Sequence, residues 1–260
     1  MDTQSQILQT PRGPILYQSH GEGPPLIMIH GFLGRPQDFR WILPGLIERF
    51  QVFLPELPGM VSTDLGAHDP LDQKGMACFV ELFMDGLNIQ SSGMVAHSMG
   101  AGVAVSFAAN HPERVDALGL ISPVGPRIHK ALAGSKLELG HTLLTSPLRW
   151  LFMPLMRFSL RRMGFPRGVR DEAIVNSMWF NTLFDYDAYA KMLDSLSMPV
   201  FLTYTTNDSQ IEQEIFEELQ ELVRPSVIKV YEKGGHNPQK HHSNDVVEGL
   251  LEVFLTQKQP

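Results

Sequence analysis

The sequence predicts an α/β fold, in which a mainly parallel sheet is flanked by helices and carries a helical segment inserted between two of its strands. Short apolar runs alternate with longer helical patterns along the chain. The runs are continuously apolar, as strands are when both faces of a parallel sheet are covered. One long stretch, residues 123–197, contains helical patterns rich in Leu, Met and Phe and no convincing strand.

The predicted core elements follow from these runs. Core strands are predicted at residues 26–30, 52–54, 93–96, 117–121, 200–204 and 227–231, and an antiparallel edge strand at residues 15–19. Helices are predicted at residues 39–50, 73–87, 99–110, 211–223 and 245–255. The helix at 99–110 is rich in Ala, Gly and Val, so we expect it to pack tightly against the sheet.

The helical stretch divides the chain into two parts. Residues 1–122 and 198–260 are predicted to form the core, and residues 123–197 a cap or lid, because a long helical insertion between sheet strands is typical of one. Pro147, Pro154 and Pro166 mark helix starts or kinks. We expect Pro154 to divide residues 147–163 into two short helical pieces.

Composition narrows the classes of function. The formal net charge is −7 over 260 residues, which argues against a nucleic-acid partner. The single cysteine, Cys78, excludes an internal disulfide, and the first ten residues lack the pattern of a signal peptide, so we expect a cytoplasmic protein. No spacing typical of a metal site and no phosphate-binding glycine loop is evident, so no metal or cofactor is predicted.

The most informative stretch is MVAHSMGAG at residues 94–102, between a predicted strand and a helix of small residues. A sharp strand-to-helix turn lifts a serine out of the sheet, and the residues two before and two after it must be small. Here they are Ala96 and Gly100, with Ser98 as the nucleophile. The N–H of Met99, at the start of the helix, would face an oxyanion formed by attack of Ser98.

A second oxyanion donor is predicted in HGFLG at residues 30–34, after the first core strand. The glycine lets the backbone turn, and the N–H of Phe32 would face the developing negative charge. His30, at the end of the strand, is expected to be structural and to hold the loop by hydrogen bonds.

The base and the acid are sought after the serine in the chain. His236 follows two glycines that let its loop reach over the sheet edge, and Asp208 follows the strand at residues 200–204. Asp208 would hold His236 in the required tautomer. The alternative for Asp208 is a turn or helix cap. His241 and His242 compete for the role of base but are expected at solvated positions, while the side chain of His97 should point away from the reacting atoms.

These motifs together resemble the α/β-hydrolase superfamily, in its branch of capped esterases, lipases and carbon–carbon bond hydrolases. The resemblance extends from HGFLG through LPELPGMVSTD, AHSMGAG and NHPERVDALGLISP to YTTND and GGHNP. It implies the α/β-hydrolase fold, a triad of Ser98, Asp208 and His236, and oxyanion amides at Phe32 and Met99. The segment PELPG at residues 55–59 has Glu where the family pattern has Asp, and the cap matches no particular member.

The leading hypothesis is a hydrolase of carboxylic esters with a fairly apolar acyl group, acting through an acyl-enzyme. The same triad would serve a carbon–carbon bond hydrolase or an acyltransferase, and a non-catalytic binding protein of the same fold is a further alternative. The expected partner is a small apolar ester, bound in a pocket that is lined by Leu33, His97, Trp150 and Met153. The sequence does not predict an oligomeric state.

A basic segment lies within the predicted cap. Residues 125–170 contain nine Lys or Arg and one acidic residue, so they carry a net charge of +8 in a chain of −7. One interpretation is a packed cap whose arginines cover its outer face. The other is transient contact with a membrane or an anionic ligand through PLRWLFMPLMRFSLRRM at residues 147–163, where basic residues adjoin Trp, Phe and Leu.

Overall fold

One mixed sheet organises the protein. In the computed structural model, which describes residues 5–31, 33–60, 72–130, 136–162, 165 and 168–256, the strands are β1 (Gln6–Thr10), β2 (Gly13–His20), β3 (Pro25–Ile29), β4 (Gln51–Pro55), β5 (Ser92–His97), β6 (Val115–Ile121), β7 (Val200–Thr205) and β8 (Val227–Tyr231). Their order across the sheet is β1-β2-β4-β3-β5-β6-β7-β8. The first two are antiparallel to their neighbours, and the remaining pairs are parallel.

The strand order reverses at β3. The chain passes from β3 to β4 on one side and then to β5 on the other. Ligands of open α/β sheets bind outside the carboxyl ends of the strands at such a reversal. His30 follows β3 directly, and Ser98 follows β5 directly, so both lie at this point of the sheet.

Helices cover both faces of the sheet. They are α1 (Leu43–Leu46), α2 (Gln73–Gly86), α3 (Gly100–Asn110), α4 (Lys136–Thr145), α5 (Arg149–Arg162), α6 (Asp171–Leu183), α7 (Tyr186–Asp194), α8 (Gln213–Val223), α9 (Pro238–His241) and α10 (Ser243–Leu255). Successive strand residues point to opposite faces. Leu26 and Met28 therefore pack in one cluster with residues of α10, and Ile27 and Ile29 in another with residues of α2, α3, α7 and α8. This arrangement confirms the predicted fold class.

The predicted helix at residues 39–50 is wrong. A 3₁₀ turn (Pro36–Phe39) and the four-residue α1 replace it. Pro44 lacks an N–H and is tolerated only in the first turn of a helix, and Gly45 favours helix weakly, so the segment cannot continue as one helix. Its apolar side chains are still buried against α10. The sequence prediction also missed β1, an edge strand that pairs only with β2.

Among the described residues between β6 and β7 there are four helices, α4 to α7; we refer to them as the inserted helices. Residues of α5 and α6 form a third apolar cluster together with Leu33 from the loop after β3. Tyr189 and Leu193 of α7 belong instead to the main core. The inserted helices thus contact the rest of the protein at two places: α5 and α6 at Leu33, and α7 at the main core. The role of residues 123–197 as a cap stays a prediction.

The expectation that Pro154 divides residues 147–163 into two helices is wrong. Pro154 lies inside α5, which is continuous from Arg149 to Arg162. Because proline has no N–H, it leaves the carbonyl group of Trp150 without its helical partner. Both residues are exposed, so water can hydrate that carbonyl and the helix continues. Pro166 lies outside the described residues. None of the helices in the described ranges combines the length and the apolar character needed to cross a bilayer.

Candidate active site

Ser98 lies at the turn between β5 and α3. Its φ of +54° is in the left-handed region, which residues other than glycine rarely adopt. Three hydrogen bonds brace this backbone. The N–H of Ser98 donates to the carbonyl of Ile121 at 3.0 Å, and its own carbonyl accepts from the N–H groups of Ala101 at 3.0 Å and Val124 at 3.1 Å. A strained and well-supported turn of this kind presents a side chain above the sheet.

Small residues are needed beside this turn because the start of α3 lies against the backbone at the end of β3. A Cβ atom at Gly100 would lie 2.5 Å from the carbonyl oxygens of both Ile29 and His30. Glycine therefore allows α3 to begin in contact with the end of β3. Ala96, two residues before Ser98, is fully buried within the sheet. The serine turn and the end of β3 are thus held together by direct backbone contact.

Ser98, His236 and Asp208 form a continuous hydrogen-bonded relay. His236 Nδ1 lies 2.7 Å from Asp208 Oδ2, and His236 Nε2 lies 2.8 Å from Ser98 Oγ. An ionised carboxylate can only accept a hydrogen bond, so Nδ1 carries the proton and donates it to Asp208. Nε2 is then left as an acceptor for the Ser98 hydroxyl. This is the tautomer with which an imidazole can act as a general base.

The two oxygens of Asp208 contact different partners. Oδ2 accepts from His236, while Oδ1 accepts from the N–H groups of Gln210 at 2.8 Å and Ile211 at 3.2 Å. The turn that the sequence offered as an alternative role for Asp208 is therefore present together with the contact to His236. One carboxylate both shapes the loop before α8 and faces the imidazole.

These contacts keep Asp208 ionised. Burial opposes the charge, but the hydrogen bond and charge of His236 and the two backbone N–H groups outweigh it, so the pKa of Asp208 lies below its ordinary value. The side chain of Asp208 is almost completely buried. An anion held in this way can orient an imidazole and stabilise its protonated form.

Asp208→Asn should lower kcat by about 10⁴-fold, the loss seen when a serine protease is given the wrong histidine tautomer by this change. The amide oxygen of asparagine can keep the contacts to Gln210 and Ile211, but its NH₂ group would face Nδ1–H of His236. The tautomer would then reverse and Nε2 would no longer accept a proton. Steady-state kinetics together with thermal denaturation test this expectation.

The control for that change is Asp208→Ala, which removes both sets of contacts. We expect it to lose a similar amount of activity and, in addition, about 1 kcal/mol or more of unfolding free energy, because two backbone N–H groups lose their acceptor. If Asp208→Asn kept wild-type kcat, the acid would have to be another residue.

The loop that carries His236 is anchored by residues that the sequence analysis did not single out. Gly234 and Gly235 have φ values of +138° and +58°, which explains the two glycines. The Thr205 hydroxyl donates to the carbonyl of Gly235 at 2.7 Å, and the N–H of Gly235 donates to Asn207 Oδ1 at 2.9 Å. The polar run after β7 therefore positions the base as well as supplying the acid.

His97 supports the same loop from the other side. Its Nε2 lies 2.8 Å from the carbonyl oxygen of His236, an atom that can only accept, so the imidazole donates. Burial, reinforced by the charge of His236, lowers the pKa of His97 to about 3. The imidazole is therefore neutral at ordinary pH and acts as a fixed donor rather than as a base.

His241 and His242 differ in their surroundings. His241 is exposed at the end of α9, as the sequence suggested. His242 is half-buried and not simply solvated: its ring stacks on Tyr231 at a centroid distance of 3.8 Å, and its Nε2 lies 2.6 Å from the carbonyl oxygen of Lys233. It braces the start of the His236 loop.

His30 fixes the end of β3, in agreement with the structural role expected for it. The N–H of Leu57 donates to His30 Nε2 at 3.1 Å, so the proton is on Nδ1, which donates to the carbonyl of Gly31 at 3.0 Å. Burial lowers the pKa of His30, which keeps the ring neutral. The N–H of Gly34 also donates to the Gly31 carbonyl at 3.0 Å and closes a tight turn.

The structure describes one of the two predicted oxyanion donors, Met99. Met99 immediately follows Ser98 and precedes α3, and the first N–H groups of a helix have no acceptor within the helix. Its amide is therefore available at the correct end of the turn. Phe32, the second predicted donor, lies outside the described residues.

Comparison with known proteins identifies the fold that carries this geometry. A sequence profile described as "alpha/beta hydrolase fold" matches residues 24–145, which include β3, β5 and the Ser98 turn. The structure of an esterase from Exiguobacterium antarcticum superposes with a TM-score of 0.80 over 97% of this chain and 100% of that one, at 18% identity. The chain has the α/β-hydrolase fold.

Two relatives are more similar to this chain in sequence but match only in part. One is named dihydrolipoyllysine-residue acetyltransferase component of acetoin cleaving system, from Cupriavidus necator, with 38% identity over 113 residues. The other is 2-hydroxy-6-oxo-6-phenylhexa-2,4-dienoate hydrolase from Comamonas testosteroni, with 34% identity over 119 residues. Each match covers 43% of this chain, but only 30% and 40% of the respective relative.

A cavity of about 530 Å³ opens beside Ser98. Of the four residues predicted to line a pocket, Leu33 and His97 do so. Met153 is buried in the apolar cluster of the inserted helices, where it packs with Leu33. Trp150 is 68% exposed on α5 and is not among the described residues of the cavity wall.

The cavity wall is more polar than the sequence suggested. Apolar surface comes from Leu33, Trp41 and Phe165, and Arg35, Arg40 and Lys240 bring three cations to the same opening. The guanidinium of Arg40 lies 3.4 Å from the centre of the Trp41 ring. Among the described lining residues Asp38 is the one acidic group, and its Oδ2 already accepts from the N–H of Arg35 at 2.9 Å.

The structure gives no sign of a metal centre in the ranges that it describes. Within them, no group of three or more His, Cys, Asp or Glu side chains is arranged to hold an ion. The functional groups that converge on the cavity are therefore those of the relay, the loop after β3 and the cationic rim.

Proposed function

We propose that this protein is a serine hydrolase that cleaves carboxylic esters with a fairly apolar acyl group through an acyl-enzyme. The observation that carries the proposal is the relay from Asp208 through His236 to Ser98, with distances of 2.7 and 2.8 Å. Its serine lies at a strained turn beside an open cavity. Leu33, Trp41 and Phe165 supply apolar surface for the acyl group.

The proposed reaction has two halves. His236 Nε2 accepts the proton of Ser98 as Oγ attacks the ester carbonyl, and the oxyanion is stabilised by the N–H of Met99 and, by family resemblance, of Phe32. The intermediate collapses, the protonated His236 donates its proton to the departing alcohol, and an acyl-Ser98 ester remains. Water, deprotonated by His236, then attacks that ester and releases the acid.

The test is covalent labelling combined with a substrate series. A fluorophosphonate probe should modify Ser98 alone, as mapped by mass spectrometry, and p-nitrophenyl esters of increasing acyl length should be turned over. A folded protein that neither reacts with the probe nor hydrolyses any of these esters would contradict the proposal and favour a non-catalytic binding protein.

Carbon–carbon bond hydrolysis is the second candidate, and the cationic rim of the cavity favours it. The Comamonas testosteroni relative is named for a dienoate, which is an acid. Arg35, Arg40 and Lys240 would suit a substrate that carries a carboxylate, since guanidinium groups bind carboxylates in a bidentate manner. The same relay would serve both reactions, so the acidic group of the substrate distinguishes them.

Arg35→Gln should separate the two candidates. If the substrate is an acidic diketone-like compound, the KM for it should rise by about tenfold or more, the value of one charge-assisted hydrogen bond. The KM for an uncharged p-nitrophenyl ester should not change. Arg49→Gln, which removes an exposed charge that does not line the cavity, is the matched control. An unchanged KM for the acid would remove the support that the rim gives to this candidate.

A further inference from the structure

The outward side of α5 is apolar. Trp150, Leu151, Leu155 and Phe158 are between 56% and 68% exposed, and Leu148, in the turn before the helix, is 55% exposed. In the part of the chain that the structure describes, twelve large apolar side chains are exposed, and these are five of them. A surface helix normally turns polar residues toward water, so this concentration departs from the usual pattern.

The spacing places most of these residues on one side. Leu151, Leu155 and Phe158 follow one another at intervals of four and three, which aligns them along one face of a helix. Met153 and Leu160, seven residues apart, are buried on the opposite side against the cluster that contains Leu33. The helix is therefore apolar on two sides, and only one of them is covered. We call the exposed side, with Leu148 and Trp150, the α5 stripe.

Arginines accompany the stripe. Arg149 begins α5, and Arg161 and Arg162 end it; all three are exposed, and none forms an ion pair with another described residue. The guanidinium of Arg162 lies 5.9 Å from the centre of the Phe158 ring. By contrast, Arg157 is paired with Asp171. Three uncompensated cations thus flank an exposed run of Trp, Leu and Phe.

Charge distinguishes two possible partners of the α5 stripe, a second copy of the chain and an anionic bilayer. Residues 125–170 have a net charge of +8, while the whole chain has −7. A symmetric dimer through the stripe would bring two such segments together, and like charges would oppose it. A bilayer with anionic headgroups offers both an apolar interior and opposite charge. Interfacial helices combine Trp, Phe and Leu with Lys and Arg in this way.

The buried side of α5, opposite the stripe, packs near the cavity. Met153 and Leu160, on its buried side, pack in the same cluster as Leu33, which lines the cavity next to Ser98. Phe165, three residues after the end of α5, lines the same cavity. The helix that carries the stripe therefore also supports the cavity wall through Leu33.

We propose that the α5 stripe docks the protein on anionic lipid bilayers, with Trp150, Leu151, Leu155 and Phe158 entering the headgroup region and Arg149, Arg161 and Arg162 contacting lipid phosphates. The docking does not depend on hydrolysis. Exposed Trp is suited to the boundary between headgroups and acyl chains, and arginine to bidentate contact with phosphate.

The binding test uses Ser98→Ala protein, so that hydrolysis of lipid cannot alter the vesicles. We expect cosedimentation with vesicles of phosphatidylglycerol and phosphatidylcholine to exceed that with phosphatidylcholine alone. Each arginine near an anionic surface should contribute about fivefold to the partition coefficient. Arg149→Gln/Arg161→Gln/Arg162→Gln should then weaken binding by about two orders of magnitude, and high salt should weaken wild-type binding likewise.

Two further variants separate charge from apolar contact. Leu151→Gln/Leu155→Gln/Phe158→Gln should abolish binding to vesicles of either composition, and these exposed positions permit the change without disturbing the core. Arg12→Gln/Arg49→Gln/Lys74→Gln removes the same charge from other elements and should bind like the parent protein. Brominated lipids should quench the fluorescence of Trp150, and the quenching should disappear in Trp150→Phe.

Three outcomes would overturn the proposal. One is equal binding of the glutamine variant of the stripe and the parent protein. Another is the absence of binding to anionic vesicles at low salt. The third is a dimer in sedimentation equilibrium that dissociates when the stripe is substituted, because the occupant would then be a second copy of the chain. Circular dichroism of each variant establishes that the fold is retained.

Discussion

Replacing Ser98 with alanine should lower kcat by about a millionfold, the loss measured when the nucleophile of a serine protease is removed. The change takes away the hydroxyl that lies 2.8 Å from His236 Nε2. The hydrogen bonds that hold the turn involve the backbone of residue 98 and would remain. Unfolding free energy should therefore change by about 1 kcal/mol or less.

Ester hydrolysis and thermal denaturation of the purified variant check this expectation together. Ser195→Ala is a suitable control, because Ser195 is an exposed serine after α7 and its hydroxyl donates to a backbone carbonyl at 2.8 Å, as many structural serines do. We expect wild-type kinetics for the control. A folded Ser98→Ala protein with substantial activity would mean that another residue attacks the substrate.

Removing the base should lower kcat almost as much as removing the nucleophile. His236→Ala should also lower kcat by about a millionfold, because the members of such a relay act as a unit and Ser98 is a weak nucleophile without its base. The exposed His241→Ala variant should keep wild-type kinetics. If the two results were reversed, His241 would be the base and the observed contact of His236 incidental.

His236→Ala should also change how stability depends on pH. The lowered pKa of Asp208 means that its ionised form stabilises the folded state. This contribution is present above the ordinary pKa of the carboxyl group and is lost as the pH falls through the lower value in the folded state. Without His236 part of the lowering disappears, so the variant should gain less stability than wild type between strongly acidic and neutral pH. Thermal denaturation across that range measures the difference.

Local chemistry in the sequence predicted the core of this site. Small residues lie two positions before and two positions after Ser98, and two glycines precede His236. Each has one dominant physical reason to be there, and the structure places the side chains of Ser98 and His236 in contact. The parallel strands could also be predicted from the sequence, because burial on both faces makes them continuously apolar. These features depend on residues that are close in the chain.

What the sequence did not reveal depends on residues that are distant in the chain. The hydrogen bond from His97 to the carbonyl of His236 joins positions 139 residues apart. Nothing in the sequence around either residue predicts that hydrogen bond. The sequence offered two alternative roles for Asp208, one as partner of His236 and one in a turn. In the structure one carboxylate oxygen serves each role. The edge strand β1 and the interrupted helix around Pro44 were missed because tertiary pairing and one proline outweighed the local pattern.

The contact of Gly100 with the carbonyls of Ile29 and His30 has a consequence for how such a site could diversify. Backbone meets backbone at this point, and any side chain at residue 100 would force the serine turn away from the end of β3. The spacing of the two elements is therefore fixed by the glycine and cannot be tuned in small steps by side-chain size. Changes that alter substrate preference must instead arise in elements whose side chains face the cavity, such as Arg35 and Phe165, or in the inserted helices behind Leu33.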